Sequence, residues 1–256
     1  MIRIFIGFDP RETVAWHVLT HSILARSSMP VSFIPLALAN LKSVYWREHN
    51  ALQSTDFSFS RFLTPYLSGY EGWSLFMDCD MLVREDIAKL WELRDDRYAV
   101  MCVKHDHQPK EATKFLDKPQ TAYGKKNWSS VMLFNNARCR VLTPEYVNAA
   151  SGLELHQFKW LGDDSLIGQI PHAWNHLVGY DAPDAGASNV HFTIGGPYFT
   201  EYAECEHGDG WRHECERMLH VTQRSGAKEV TGLADTARSG LSFAPNGAAR
   251  GIPMIR

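Results

Sequence analysis

Phe76-Met-Asp-Cys-Asp-Met-Leu-Val83 sets two carboxylates between two apolar runs. The stretch Trp73-Ser-Leu-Phe-Met77 reads as a buried strand, so Asp78 and Asp80 stand at its carboxyl end. In an extended segment residues i and i+2 project to the same side. In an open α/β sheet, ligands bind at the carboxyl ends of the strands. Two carboxylates held together repel unless a cation joins them, and the functional reading is a divalent-metal site. The bland alternative is a solvated turn, because Asp-x-Asp is a common tripeptide. Apolar neighbours on both sides count against it.

The chain upstream supplies the frame. Ile2-Arg-Ile-Phe-Ile-Gly-Phe8 is β-rich and ends at the turn signal Asp9-Pro10. A helix is predicted from about Glu12 to Ala25, with Val14, Val18, Leu19 and Ile23 at helical spacing, and a second strand over Val31–Leu38. Strand–helix–strand implies a βαβ unit and an α/β sheet flanked by helices. A helix is predicted over Phe57–Leu67, with Thr55, Ser58 and Ser60 as caps. Further strands are expected at Tyr98–Val103, Val131–Phe134, His176–Val178 and Asn189–Phe192. Thr143-Pro144 opens a helix. Polar loops are expected at Lys104–Ser130 and Asp181–Ser188.

Bulk properties exclude several classes. The 256 residues are 45% hydrophobic and 21% charged, the profile of a globular protein rather than a disordered or fibrous one. With 26 basic and 29 acidic side chains the net charge is −3, which speaks against nucleic acid as partner. No apolar run reaches the roughly 18 residues of a membrane span, and Asp9-Pro-Arg-Glu12 interrupts the apolar start too early for a signal peptide. Five cysteines, an odd and small number, suggest a reducing, cytoplasmic setting. The core domain is expected to span 1–221. From Thr222 onward the chain turns rich in Gly, Ala and Ser, with five basic residues, two acidic ones and Phe243 as the sole aromatic. Residues 222–256 read as an extended or mobile tail. A tail docking over the active site or making peripheral contact with a membrane surface is the alternative.

A third metal ligand is offered by Val190-His-Phe-Thr-Ile-Gly-Gly-Pro197, where His191 ends an apolar run that breaks into a Gly-Gly-Pro turn. Standing alone it would read better as a core histidine. Two carboxylates with an imidazole suit Mn²⁺ better than Mg²⁺, since nitrogen favours the later metal.

Taken with their flanks, these residues resemble family 8 of the retaining glycosyltransferases, the GT-A group that contains glycogenin and the bacterial lipooligosaccharide galactosyltransferases. The resemblance is carried by Ser58-Phe-Ser-Arg-Phe-Leu63 and by Leu75-Phe-Met-Asp-Cys-Asp-Met-Leu-Val-Arg-Glu-Asp-Ile-Ala-Lys-Leu-Trp91, with Arg61 at the family's distance before Asp78. Ser129-Ser-Val-Met-Leu-Phe-Asn135 is similar to the family's Asn-Ser-Gly-Val segment, and Gly162-Asp-Asp-Ser-Leu-Ile167 to its Asp-Gln segment. His191-Phe with the following Gly-Pro is similar to its closing histidine motif. The match runs in order over roughly residues 1–200.

The resemblance implies a GT-A nucleotide-diphospho-sugar transferase fold, with a central, mostly parallel mixed sheet. It implies a metal-dependent glycosyltransferase moving a sugar from a nucleotide-diphosphate sugar, a UDP-sugar by preference, with retention, to a glycan, lipid or small-molecule acceptor. Asp78, Asp80 and His191 would hold Mn²⁺ (or Mg²⁺). Gly7, Phe8 and Asp9 would line the nucleotide pocket, and Arg61, Asn127, Ser129 and Gly196 would contact the donor. Asp163 and Asp164 would lie beside the donor sugar as the catalytic acids. Three departures stand out. The family's Asn-Ser-Gly reads Trp128-Ser129-Ser130, with Asn127 one residue away; Gly196 stands where a Lys is usual; and Phe8 aligns with a common Asp.

The chemistry agrees with that assignment. Cleaving a sugar–phosphate bond develops negative charge on the leaving diphosphate, which a cation stabilises as a Lewis acid. A carboxylate beneath the sugar ring stabilises an oxocarbenium-like transition state or acts as nucleophile. Asp163-Asp164 also reads as a plain helix N-terminus, where acids favour the dipole.

Other signals read as structure. His105-Asp-His107 fits a solvated loop better than a zinc site. Cys205, His207, His213 and Cys215 match no familiar zinc knuckle, and Gly208-Asp-Gly210 reads as a turn. Trp160, Trp174 and Trp211 are core residues by default, or platforms for an acceptor sugar. Two competing functions stay open. A nucleotidyltransferase predicts a Gly-rich phosphate loop after the first strand, which Gly7-Phe-Asp-Pro-Arg11 is not. A non-catalytic nucleotide- or sugar-binding protein of the same fold is the other.

Overall fold

The computed structural model describes residues 1–48, 53–106, 113–114, 118–119 and 124–220. The expected tail at 222–256, His107 and much of the loop expected at Lys104–Ser130 lie outside the described residues.

Strand β1 (Ile2–Gly7) is buried almost throughout, as a β-branched run covered on both faces should be. It pairs in parallel with β2 (Val31–Leu36) on one side and β3 (Trp73–Met77) on the other. Beyond β3 come β6 (Val131–Asn135), β5 (Val100–Cys102) and β7 (Ile167–Gln169). Only β6 runs against its neighbours: it is antiparallel to both β3 and β5, while β5 and β7 are parallel. The six-stranded sheet is therefore mixed and mostly parallel. A smaller sheet joins β8 (His176–Leu177), β9 (Asn189–His191) and β4 (Met81–Val83), with β9 antiparallel to β4.

Helix α1 (Thr13–Leu24) buries Ala15, Val18, Leu19, Ser22 and Ile23, the i, i+3, i+4, i+7, i+8 stripe of a helix facing a core. Val14, expected on that face, is 37% exposed. Ser22 Oγ accepts from the Val83 N–H at 3.2 Å, which fastens α1 to β4. The helix expected over Phe57–Leu67 is instead a 3₁₀ turn at Ser60–Leu63 followed by a single α turn, α2 (Thr64–Leu67). Pro65 has no N–H to donate back to Arg61, so the α ladder cannot run through. Two short helices were not anticipated: α3 (Ile87–Glu92), capped by Asp86, and α5 (Gly152–His156), which has a capping box of Ser151 and Glu154. Between them α4 (Pro144–Ala149) starts as expected, with Thr143 accepting from the Tyr146 N–H.

The turn expected at Gly208-Asp-Gly210 is corrected by the structure. Those residues begin α6 (Gly208–Met218), whose buried Trp211 and Glu214 give it an inward face. Among the described residues no helix is long and apolar enough to cross a membrane.

Candidate functional site

Strand register builds the site. Ile6 pairs with Met77 and Met77 with Val131, so the carboxyl ends of β1 and β3 and the approach to β6 share one edge of the sheet. The Asp78 N–H donates to the Ser130 carbonyl at 3.0 Å. After Asp80 the chain crosses into the small sheet, where Met81 pairs with His191, and the Phe192 N–H donates to the Asp80 carbonyl at 2.9 Å. One ligand atom from each of Asp78, Asp80 and His191 lies within 4.8 Å of the others. His191 Nε2 is 3.3 Å from Asp80 Oδ1 and 3.8 Å from Asp78 Oδ2.

The imidazole is aimed. Its Nδ1 lies 2.9 Å from Asn175 Oδ1, an atom that can only accept. Nδ1 therefore carries a proton, which leaves Nε2 toward the two acids. A metal-ligating histidine is held in the same way, through its other nitrogen. Asn175 Nδ2 in turn donates to the Asn127 carbonyl at 3.3 Å. The residues fit a cation: Asp78 Oδ1 and Asp80 Oδ1 are shielded from solvent without an aligned hydrogen bond, although Arg61 Nη1 sits 2.8 Å from the former.

Charge is concentrated here. Burial pushes the Asp78 carboxyl up to about 6, against the pull of Arg61. Burial would raise Asp80 also, but His191 and Arg61 outweigh it and leave that carboxyl lowered. Burial would lower the His191 pKa, yet the two acids hold it above the ordinary value. Glu12, 2% exposed, is pushed up to about 8, first by burial and then by Asp80. Tyr198 donates to Glu12 Oε1 at 2.7 Å.

The remaining expected donor residues are placed unevenly. Gly7 lies under the Phe57 ring, which a Cβ would meet at 2.3 Å. Phe8 is half-buried. Asp9 is buried and engaged: it caps the turn at Arg11, binds that guanidinium and accepts from the Asp56 N–H at 3.1 Å. Arg61 is sandwiched between the rings of Phe57 and Phe76, and donates to the Ser129 carbonyl at 2.9 Å. Ser129 Oγ lies 2.8 Å from His156 Nδ1. Asn127 takes a left-handed conformation, φ 62°. Gly196 is buried in a turn folded against the Tyr198 ring, where a Cβ would clash at 2.2 Å.

Asp163 and Asp164 do not join the Asp78–Asp80–His191 cluster. Both are exposed and precede β7, where the Leu166 carbonyl accepts from the Ala99 N–H. Asp163 spends its oxygens on the Ser165 N–H at 2.8 Å and Ser165 Oγ at 2.7 Å, the cap geometry of the alternative reading. Asp164 ion-pairs with Lys125, at the head of the loop carrying Asn127 and Ser129.

Three contributors escaped the sequence reading. Asn175 follows a tryptophan in an unremarkable turn. Glu12 looked like part of a helix start, and Tyr198 like a residue after a Gly-Gly-Pro turn. Only contacts across 16 to 186 residues of chain reveal them.

No family model matches the chain. Among solved structures, a galactosyltransferase LgtC in complex with donor and acceptor sugar analogues superposes with a TM-score of 0.56 at 12% identity, covering 87% of this chain and 98% of that one. The bifunctional glycosyltransferase WbbM gives 0.59 at 15% identity, and the glycosyltransferase GlyE of Streptococcus pneumoniae TIGR4 gives 0.57 at 11%. The chain covers 84% and 86% of its own length in these two matches but spans only 49% of WbbM and 62% of GlyE. At such identities the likeness establishes the fold, that of the GT-A glycosyltransferases. Much nearer in sequence is Protein CDI of Arabidopsis thaliana, 49% identical over 223 residues, covering 84% of this chain and 86% of that protein. On a GT-A fold shared with known glycosyltransferases, the chain belongs to the family of Protein CDI.

Proposed function

We propose that the protein is a metal-dependent glycosyltransferase that moves a sugar from a nucleoside diphosphate sugar, with UDP-sugars the preferred class, to a glycan, lipid or small-molecule acceptor with retention of configuration. The observation that carries this reading is the convergence of Asp78, Asp80 and His191, with the histidine turned by Asn175 so that Nε2 faces both acids. Mn²⁺ suits this donor set, and when bound it supplies Lewis-acid stabilisation of the departing diphosphate.

The protein's own groups divide the remaining work. Arg61 neutralises Asp78 and braces the Ser129 backbone, keeping the loop beside the acids in place. Gly196 lets the backbone fold tightly against the Tyr198 ring, whose hydroxyl donates to Glu12. Of the two acids expected beside the sugar, Asp164 is favoured, because Asp163 is committed to its cap while Lys125 ties Asp164 to the Asn127–Ser129 loop. Asp164 would stabilise positive charge on the anomeric carbon.

The test is release of nucleoside diphosphate from a panel of nucleotide sugars with Mn²⁺, for the natural protein and for Asp80→Asn. Loss of about 4 kcal/mol of charge stabilisation corresponds to a drop of roughly 10³-fold, with far-UV circular dichroism unchanged. Undiminished turnover in Asp80→Asn, or no turnover and no diphosphate binding in the natural protein, sinks the reading.

A further inference from the structure

A second cluster of metal-ligating side chains lies apart from the one above. His176 on β8 and the Glu206–His207 pair just before α6 bring their ligand atoms within 4.8 Å of one another. Both imidazole Nε2 atoms converge on one carboxylate oxygen: His176 lies 3.2 Å and His207 3.1 Å from Glu206 Oε1. The two rings stand nearly perpendicular, at 88°. Zinc bonds of about 2.0–2.2 Å in a tetrahedron separate neighbouring ligand atoms by roughly 3.3–3.6 Å, close to these spacings.

The surroundings orient His176 and hold the carboxylate. His176 is 2% exposed in its side chain, and its far nitrogen Nδ1 faces Asp181 Oδ2 at 3.8 Å. That carboxylate is itself held by the Leu177 N–H at 2.6 Å. A carboxylate behind a ligating histidine is the recurring support of metal sites. The buried Nε2 of His207 lies near Glu206 yet out of line for a hydrogen bond, and the Asp184 N–H donates to Glu206 Oε1 at 3.2 Å, which holds the carboxylate. Burial lowers the His207 pKa, which favours the neutral imidazole a metal needs.

We propose that His176, Glu206 and His207 form a zinc site, with solvent at the fourth position on the partly exposed Glu206 side. Two imidazoles and one carboxylate make a more nitrogen-rich, zinc-type set than the two acids and one histidine beside β3. The ion fastens the start of α6 to β8, whose Leu177 pairs with His191 on β9, and so braces the strand that presents that histidine.

The experiment uses the full chain without a histidine tag, stripped with chelator and then equilibrated with ZnCl₂ or MnCl₂. Metal per chain is read by atomic emission, the thermal midpoint by calorimetry, and Co²⁺ ligation by its visible absorption. An Asp78→Asn/Asp80→Asn double variant, which disables the other cluster, should keep one equivalent of zinc and a zinc-dependent rise in midpoint. His207→Asn, chosen because asparagine tolerates the φ of 60° at that position, should lose that equivalent, as should Glu206→Gln, which preserves side-chain shape. His172→Ala, aimed at the neighbouring group on Asp181, should retain it. The proposal is overturned if the double variant retains no zinc, if both His207→Asn and Glu206→Gln bind zinc as the natural chain does, or if His172→Ala alone removes it.

Discussion

Asn175 settles which nitrogen of His191 meets the acids. An amide oxygen cannot donate, so the ring must place its Nδ1–H there and turn Nε2 toward Asp78 and Asp80. Replacing it with Asn175→Leu frees the ring to rotate and leaves a buried nitrogen without a partner. Mn²⁺ affinity should fall about 10–100-fold, the usual effect of losing such a support, measured from free Mn²⁺ by electron paramagnetic resonance. Unchanged affinity would mean that packing alone holds the ring. Arg61 shows the opposite economy, since one guanidinium serves both the acid and the loop. Its motif position pointed to the donor, whereas its contacts run to Asp78, Ser129 and two aromatic rings.

Helix α6 is held to α1 by charge as well as by packing. Glu214 is 1% exposed and meets His21 Nδ1 and Arg26 Nη2, each at 2.6 Å. Burial would raise its pKa, but these partners outweigh burial and leave the carboxyl below its ordinary value. A carboxyl lowered on folding contributes stability above the unfolded pKa, and that contribution is lost as pH falls through the folded one. Glu214→Gln should therefore destabilise the protein at neutral pH by about 2–3 kcal/mol, less than a fully buried pair because Arg26 and His21 are partly hydrated. The gap from the natural chain should close on acidification below the ordinary value of 4.5. Denaturant melts at several pH values check both the size and the direction. The tie was hidden in the sequence because Glu214 and its partners lie 188 and 193 residues apart.

Folding gathers Asp9, Glu12, Asp78 and Asp80 from two distant stretches around one sheet edge. Glu12 absorbs part of the repulsion by keeping its proton, its pKa pushed to about 8 by burial and by Asp80. A raised carboxyl gives stability that is full below its ordinary value of 4.5 and is lost as pH climbs through about 8. In chelator, Glu12 should cost the natural protein up to ~1.4 kcal/mol per pH unit across that window, and Glu12→Gln should lower the slope by that share. A slope equal in both proteins would assign the loss to other groups.

Much of this architecture was readable beforehand, and the reason is periodicity. The apolar runs of β1, β3 and β6 and the 3.6-residue stripe of α1 are local patterns that burial enforces wherever the chain goes, so the mixed α/β sheet and the Asp78–Asp80 pair at its edge followed from residues close in sequence. The breaks in that legibility have local causes too: Pro65 cuts a promising helix to one α turn, and glycines at 208 and 210 masked the start of α6. What proximity in the chain cannot encode is which distant groups meet. The rotation of His191 by Asn175, the proton on Glu12, the bond from the Asp56 N–H to Asp9, and the convergence of His176 with His207 arise only when strands pair and their loops close over the same edge. Hydrogen bonds and ion pairs act over a few ångströms, so their partners are chosen by the folded path and not by spacing along the polymer.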